Sequence, residues 1–364
     1  MIERDDLAAW LRLLETPAIG RETARRLLAA FGSPHAIFDA PPVALKELLT
    51  AEKASALRSP PPSLDALIEA TWQWLAAGEQ RHVVALGDPA YPRALLETAD
   101  PPLLIHAIGR IALLNVPSVA VVGSRNPTPQ GAENARAFAT ALSHAGLTVV
   151  SGLALGIDGS AHDGALAGPG STIAVVGTGL DRVYPKRHLK LAHRIARDGL
   201  MVSEYALGTP PLAAHFPLRN RLIAGLARGT LVVEAALESG SLITARLALE
   251  AGREIFAIPG SIHAPQSRGC HALIKQGAKL VDSAVDILEE LRFDMPEGAP
   301  LAASTPSKED PVLAALGHDP VTLDALSARI GWPPAELSAR LLELELSGDV
   351  ARLPGQLFQR LVQA

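Results

Sequence analysis

A chain of 364 residues, 48% hydrophobic and 20% charged, has material for two or three ordinary domains and is not of disordered composition. Only 4% of it is aromatic, so its cores must be built from Leu, Ala, Val and Ile, and its formal net charge of -5 excludes a protein that is basic all over, though not one with a local basic face turned to phosphates. Its single cysteine, Cys270, excludes an internal disulfide and reads as a buried thiol.

Residues 5 to about 75 read as helices. Within them, residues 17–33 resemble a helix-turn-helix pair of the helix-hairpin-helix or SAM-like kind: Gly20 permits a tight turn, and Ala24, Leu27, Leu28 and Phe31 repeat at helical spacing. Such a hairpin serves either to hold a DNA backbone or as a packing and protein-contact unit. Ser59-Pro60-Pro61-Pro62 interrupts the helical pattern, because proline lacks the N–H that a helix interior needs. Another helix follows from Leu64 to Ala77, then strand-like pieces at 82–86 and 103–107. Residues 1–10 are acidic where a secretory leader is basic, and apolar runs are too short to span a bilayer, so a cytoplasmic protein without membrane contact is expected.

From Ser118 onward, short apolar runs at 119–122, 148–150, 173–176, 200–202, 231–233, 255–258 and 279–281 alternate with helix-length segments. That pattern predicts a doubly wound α/β domain of the Rossmann-like kind, its mostly parallel sheet covered on both faces. Residues 294–310 are rich in Pro, Ala and Ser and read as a linker. Three helices beginning near Leu313, Thr322 and Pro334, then a hairpin over 348–358, read as a winged helix with Thr322 as an N-cap. The expected domains are thus 1–78 helical, 79–293 Rossmann-like, 294–310 linker and 311–364 winged helix.

In parallel α/β sheets, ligands bind beyond the carboxyl ends of the strands, and the glycine- and serine-rich segments of this chain fall there. The first parallel strand runs into Gly123-Ser124-Arg125, and the others reach Ser151-Gly152, Gly177-Thr178-Gly179, Glu204, Glu234 and Pro259-Gly260. Glycine admits close backbone approach, the N–H groups of a following helix attract an anion, and Arg125 adds a bidentate phosphate partner. Tight βα turns also favour these residues for structural reasons, but several together point to phosphate. The first loop lacks the G-x-G-x-x-G fingerprint, strand two ends without a ribose-binding acid, and neither a P-loop nor a nucleophile elbow occurs. No cofactor, metal or catalytic residue is therefore assigned.

Basic residues gather in two places. Arg182, Lys186, Arg187, Lys190, Arg194 and Arg197 follow the third parallel strand and serve either as a solvated helix face or as a phosphate surface. Phe216, Arg219, Asn220 and Arg221 open a helix at the ligand edge and combine a stacking ring with phosphate partners, the combination used by sequence-tolerant single-strand binders. The alternative is structural, with Arg219 or Arg221 paired to Glu204 or Glu234.

These segments, with 151–158 and His162, 176–185, 203–205, 239–245, 258–260 and 269–278, stand in an order and spacing that resembles the DprA/Smf family of DNA-processing proteins over nearly the whole chain. The resemblance implies a protein without enzymatic activity. It would bind incoming single-stranded DNA in natural transformation, protect it, load RecA recombinase on it, and act as a homodimer. Carried over by position, Gly123, Ser124 and Arg125 would meet DNA phosphates, and Phe216, Arg219, Asn220 and Arg221 would line the same pocket. Some relatives carry a lysine just before the latter segment. Residues 211–214 offer none, and Lys186, Arg187 or Arg182 is the substitute that composition supplies. The alternative function is a LOG-like phosphoribohydrolase using Glu234, although the P-G-G-x-G-T-x-x-E signature is missing.

Overall fold

The computed structural model describes residues 2–293, 310–317 and 320–361. Six helices lead: α1 Arg4–Glu15, α2 Arg21–Phe31, α3 Pro34–Asp39, α4 Pro42–Leu48, α5 Ala51–Arg58 and α6 Leu64–Ala76. Gly20 is the N-cap of α2 in ordinary extended backbone, and the left-handed residue of that turn is Ala18 (φ 65°). Residues 17–33 thus hold a turn and one helix, α2, and the helix across that turn is α1, outside the expected range. The breaker at 59–62 falls between α5 and α6, as a run of prolines requires.

The sheet that follows has nine strands among the described residues. They are β1 Arg81–Ala85, β2 Leu104–Gly109, β3 Ser118–Val122, β4 Thr148–Ser151, β5 Thr172–Val175, β6 Leu200–Ser203, β7 Gly229–Val232, β8 Glu254–Ala257 and β9 Lys279–Leu280. Their spatial order is β1-β2-β6-β5-β4-β3-β7-β8-β9, antiparallel at β1/β2 and β2/β6 and parallel elsewhere. Every residue of β3 to β7 is buried, which is why these strands read as unbroken apolar runs.

The helices of this part are α7 Arg93–Leu96, α8 Pro129–His144, α9 Ile157–Ala165, α10 Leu189–Asp198, α11 His215–Leu226, α12 Gly240–Glu250, α13 Arg268–Lys275 and α14 Ala284–Glu290. Val119, Val121 and Val149 pack under α8 and α9, whereas Ala120, Val122 and Val150 pack under α11 and α12. The alternation of side chains along each strand thus feeds two helical layers. At the β1 end, Leu7, Leu11 and Trp74 of α1 and α6 share one core with Val83, Leu104, Ala174 and Met201. The N-terminal helices are therefore packed on the sheet.

From β3 the chain winds one way through β4, β5 and β6, then returns to the other side of β3 with β7, β8 and β9. The order reverses between β3 and β7, and this switch point is where doubly wound sheets open a ligand crevice.

The C-terminal unit contains α15 Pro311–Leu316, β10 Val321–Thr322, α16 Leu323–Ile330, α17 Pro334–Ser347, β11 Val350–Leu353 and β12 Leu357–Arg360, with strand order β10-β12-β11. Val312, Leu316, Leu326, Leu337, Leu341, Leu344, Val350 and Phe358 form its core. The Thr322 side chain caps α16 by accepting from the Ala325 N–H at 3.2 Å. The expected linker lies outside the described residues except for Asp310, which belongs to the folded unit. Its carboxylate accepts from the Val312 N–H at 2.8 Å and pairs with Arg340, which starts the first helix at Pro311.

Candidate nucleic-acid interface

The crevice at the switch point is closed at its base by backbone. The Ser124 N–H donates to the Glu234 carbonyl at 2.7 Å, tying the loop after β3 to the loop after β7. Gly123 sits where a Cβ would lie 2.7 Å from Ile157 and 2.9 Å from the Glu234 carbonyl, so only glycine fits. The Ser124 carbonyl accepts from the Ile157 N–H at 3.1 Å, which joins the same loop to the start of α9.

The Glu234 side chain occupies a place the sequence had promised to a ligand. Its carboxylate accepts from the Thr128 N–H at 2.9 Å and from the Thr128 hydroxyl at 2.5 Å, and Thr128 in turn caps α8 at the Gly131 N–H. The electropositive start of α8 is thus already neutralised by an internal carboxylate, whose pKa is raised by burial. What this edge leaves uncompensated is the β3 loop with Arg125, not the helix dipole. Arg125 is exposed, and its guanidinium stands 6.0 Å from the centre of the Phe216 ring.

Phe216, in the first turn of α11, lies against Gly177, where a Cβ would come 3.3 Å from the ring. The neighbouring His215 stacks on Tyr205 with centroids 4.1 Å apart and approaches the Gly177 carbonyl through Nδ1 at 3.2 Å. Phe216 is half-buried, and Tyr184 packs beside it at 5.5 Å, itself 48% exposed.

The arginines one turn further along α11 behave differently. Arg219 is only 4% exposed. It donates to the carbonyls of Gly152 (2.6 Å) and Val175, at the ends of β4 and β5. Burial draws its guanidinium down to about 10, still charged at neutral pH. Gly152 must be glycine, because a Cβ would lie 2.7 Å from the guanidinium nitrogens. In the same loop, the buried Asp158 carboxylate accepts from the N–H groups of Gly152 (3.1 Å) and Ala154 (3.2 Å). Burial raises its pKa, opposed by the nearby Arg219 charge and these N–H groups.

Arg221 pairs with Glu204 at 2.5 Å and with Asp100 at 3.0 Å; in α2, Arg21 reaches both acids and Arg25 reaches Asp100. The pairing with Glu204 offered as the structural alternative is present for Arg221, whereas Arg219 pairs with backbone carbonyls and with neither Glu204 nor Glu234. Arg219 braces the strand ends, and Arg221 bolts α11 to the N-terminal helices. Arg219 is withdrawn from solvent and the Arg221 side chain keeps 14% of its surface exposed. Asn220 is half-buried, its amide 3.5 Å from the Gly240 carbonyl.

Two histidines complete this frame. Leu153 adopts a left-handed conformation (φ 59°) that costs a β-unbranched residue strain unless its surroundings fix it. Its N–H donates to His162 Nε2 at 3.2 Å, and His188 Nδ1 donates to its carbonyl at 3.1 Å. Because His162 Nε2 accepts, Nδ1 carries the proton and donates to Thr172 Oγ1 at 2.7 Å. The ring is neutral, its pKa lowered to about 3 by burial.

Lys186 and Arg187 are exposed in a short 3-10 turn that flanks His188. Sequence reasoning assigned no individual role to Tyr184, Asp158 or His162. The signal for Tyr184 was available, since it is an aromatic followed at once by Pro185, Lys186 and Arg187. Among the described residues no group of His, Cys, Asp or Glu gathers that could hold a metal ion.

The fold and this crevice define a doubly wound α/β protein whose switch point is lined by an exposed arginine and aromatic rings, followed by a winged helix. The family model for DNA recombination-mediator protein A matches residues 82–292, and that for the DprA winged helix domain matches residues 296–356. The chain belongs to the DNA recombination-mediator protein A (DprA/Smf) family. It is 41% identical over 361 residues to Protein Smf of Escherichia coli strain K12, covering 96% of this chain and 95% of that protein. It is 52% identical over 206 residues to the DNA processing protein DprA of Streptococcus pneumoniae, covering 57% and 73%. The solved structure of DprA from Streptococcus pneumoniae aligns with a TM-score of 0.66 at 39% identity, over 80% of this chain and 99% of that one. The DNA processing protein A of Helicobacter pylori, described for its single-stranded DNA binding mode, aligns at 0.54 and 32% identity over 60% and 98%.

Proposed function

We propose that the switch-point crevice binds single-stranded DNA, with phosphates on the Gly123-Ser124-Arg125 loop and a base on Phe216. The observation that carries this reading is the exposed Arg125 held above a half-buried ring at the ligand edge of the sheet. The pairing gives charge to a phosphate and a flat surface to any base, so it serves a strand of any sequence. The single-stranded DNA binding mode of the Helicobacter pylori relative supports it. Lys186 and Arg187 add cationic surface, and Asn220 borders the pocket. Arg219 and Arg221 serve it from behind as supports.

In this reading the protein works in the cytoplasm as a homodimer, protects the incoming strand during transformation and loads RecA recombinase on it, without chemistry of its own. The engagement of the Glu234 carboxylate by Thr128 and the start of α8 supports a non-catalytic crevice, because a general acid or base must be available to a substrate proton.

Binding of a fluorescent oligo-dT to the full chain, at fixed salt, tests the pocket. Arg125→Ala is expected to weaken affinity about tenfold, the value of one charge-assisted phosphate contact, with the melting temperature unchanged. Affinity equal to wild type at matched salt would show that the strand lies elsewhere. RecA filament assembly on a strand coated by a single-strand binding protein, with and without the full chain, tests the loading step.

A further inference from the structure

We propose that the DNA site continues past Phe216 into a second nucleotide subsite, made by the ring of Tyr184 and the cations of Lys186, Arg187 and Lys190. This rests on the preceding reading of the crevice and extends it by naming the path the strand takes on leaving.

The first observation is the aromatic pair. Tyr184 and Phe216 have centroids 5.5 Å apart and ring planes tilted by 37°. Tyr184 keeps 48% of its surface exposed. Packing on Phe216 accounts for one side of the tyrosine ring. The exposed part of this residue stands directly before a run of cations, which is an arrangement that can receive a stacked base.

The second observation is which cations of that run are free. Arg182, Arg194 and Arg197 are spent on Asp181, Asp163 and Asp198. Lys186, Arg187 and Lys190 are exposed and make no ion pair among the described residues. These three follow Tyr184 within one 3-10 turn and the start of α10. The paired Arg194 and Arg197 lie further along α10, so the cations that follow Tyr184 most closely in the chain are the ones without an acid partner.

The third observation is that both subsites are fixed to one support. His188, between Arg187 and α10, donates to the Leu153 carbonyl at 3.1 Å and rests on Gly159, where a Cβ would lie 2.7 Å from the imidazole. Four residues after Leu153, the Ile157 N–H donates to the Ser124 carbonyl at 3.1 Å. The segment from Leu153 to Gly159 therefore touches the Lys186–Lys190 turn through Leu153 and Gly159 and holds the Arg125 loop through Ile157 between them. A strand with one base on Phe216 finds the next stacking face at Tyr184 and its following phosphates at the free cations.

The test compares a short oligo-dT of about four nucleotides with one of about twelve, each bound to the full chain by anisotropy over a salt series. The variants are Tyr184→Ala, Tyr184→Phe, the pair Lys186→Ala with Lys190→Ala, and Arg125→Ala. Tyr184→Ala is expected to remove most of the advantage of the long strand over the short one, a loss of about fivefold to a hundredfold, with Tyr184→Phe retaining it. The double lysine variant is expected to lower the salt slope for the long strand by about 1.4, near 0.7 for each phosphate that is no longer neutralised. Equal losses on both lengths, or a long strand whose affinity and salt slope no variant at 184, 186 or 190 changes, would overturn the subsite. If Arg125→Ala leaves both lengths untouched, the primary pocket is wrong, and that outcome is read separately from the ratio between lengths.

Discussion

The floor and the rim of the crevice carry the same residue types to opposite ends. On the floor, Arg219, Asp158 and His162 are buried and every contact described for them is internal: strand-end carbonyls, loop N–H groups and a threonine hydroxyl. On the rim, Arg125, Lys186 and Arg187 are exposed, with no ion pair among the described residues. Arg219 and Phe216 are three residues apart on α11, yet one faces into the sheet and the other toward the ligand edge. The difference teaches that charge in a binding segment is not evidence of contact. A cation must also be left unsatisfied by its own fold. The floor instead holds the loops in place. Leu153 stays in its strained conformation because two histidines grip its peptide groups, and those loops are what the rim residues stand on.

The sharpest way to break this division is Arg219→Ala. If Arg219 belongs to the floor, its loss leaves two strand-end carbonyls unpaired and the buried Asp158 carboxylate without its nearest cation, at a cost of about 3–5 kcal/mol of folding stability. Arg219→Lys should recover only part, because one ammonium cannot reproduce the planar fork that reaches both carbonyls. Denaturant unfolding measures both. A variant that unfolds like wild type but no longer binds DNA would move Arg219 to the rim.

Acid separates the two layers next. His162 and His106 are buried and neutral, with pKa values lowered to about 3 and about 4 by burial, His106 lying edge-on to Trp74. Their unfolded values lie near 6.5. The stability they support is complete above that value. It falls as pH drops below about 6.5, because the unfolded chain takes up protons that the folded one refuses, and the loss continues to the folded pKa. Each contributes at most about 1.4 kcal/mol per pH unit in that window. His106→Leu replaces one titrating ring by an apolar side chain of comparable size. Its stability should therefore decline less steeply than wild type between pH 6 and 5, measured by urea unfolding at each pH. Parallel curves would mean that the ring is already protonated inside the fold.

The sequence conveyed the layers of the fold well and the layers of the site poorly, for a physical reason. Strands buried on both faces must be apolar throughout, so β3 to β8 could be read within a residue or two at each end. The ligand edge followed from the same reading, because glycines at strand ends record close backbone approach, as Gly123 and Gly152 do. What could not be read is the direction of a side chain along one turn of α11. Phe216, Arg219, Asn220 and Arg221 form one polar cluster in sequence, but helical rotation sends them to a gap over Gly177, to the sheet interior, to the α12 loop and to an acid pair. Of the acids that claim Arg221, Glu204 was among the partners the sequence offered, whereas Asp100 is distant in sequence and without a pattern of its own. Asp310 was lost to the linker by composition alone, since a capping carboxylate beside proline looks the same as a solvated one.

Glu234 lies at the junction of the two layers and gives the smallest and most discriminating effect. Its carboxylate sits at the start of α8, held by Thr128, in the place where many α/β crevices hold a ligand phosphate. It is therefore part of the floor by its bonds and a competitor of the rim by its charge. Glu234→Gln keeps the shape and an acceptor for the Thr128 N–H but removes the negative charge. The floor should lose about 0.5–1 kcal/mol, the value of an anion at a helix N-terminus. The rim should gain, since a strand phosphate near Arg125 no longer faces a fixed carboxylate. Oligo-dT affinity is expected to rise about twofold at low salt, with the gain vanishing as salt screens the repulsion. Thermal melting and anisotropy on the same sample measure the two effects together. A fall in affinity in proportion to the lost stability would show that the carboxylate organises the phosphate loop and that its charge does not oppose the strand, so that at this one position floor and rim are a single device.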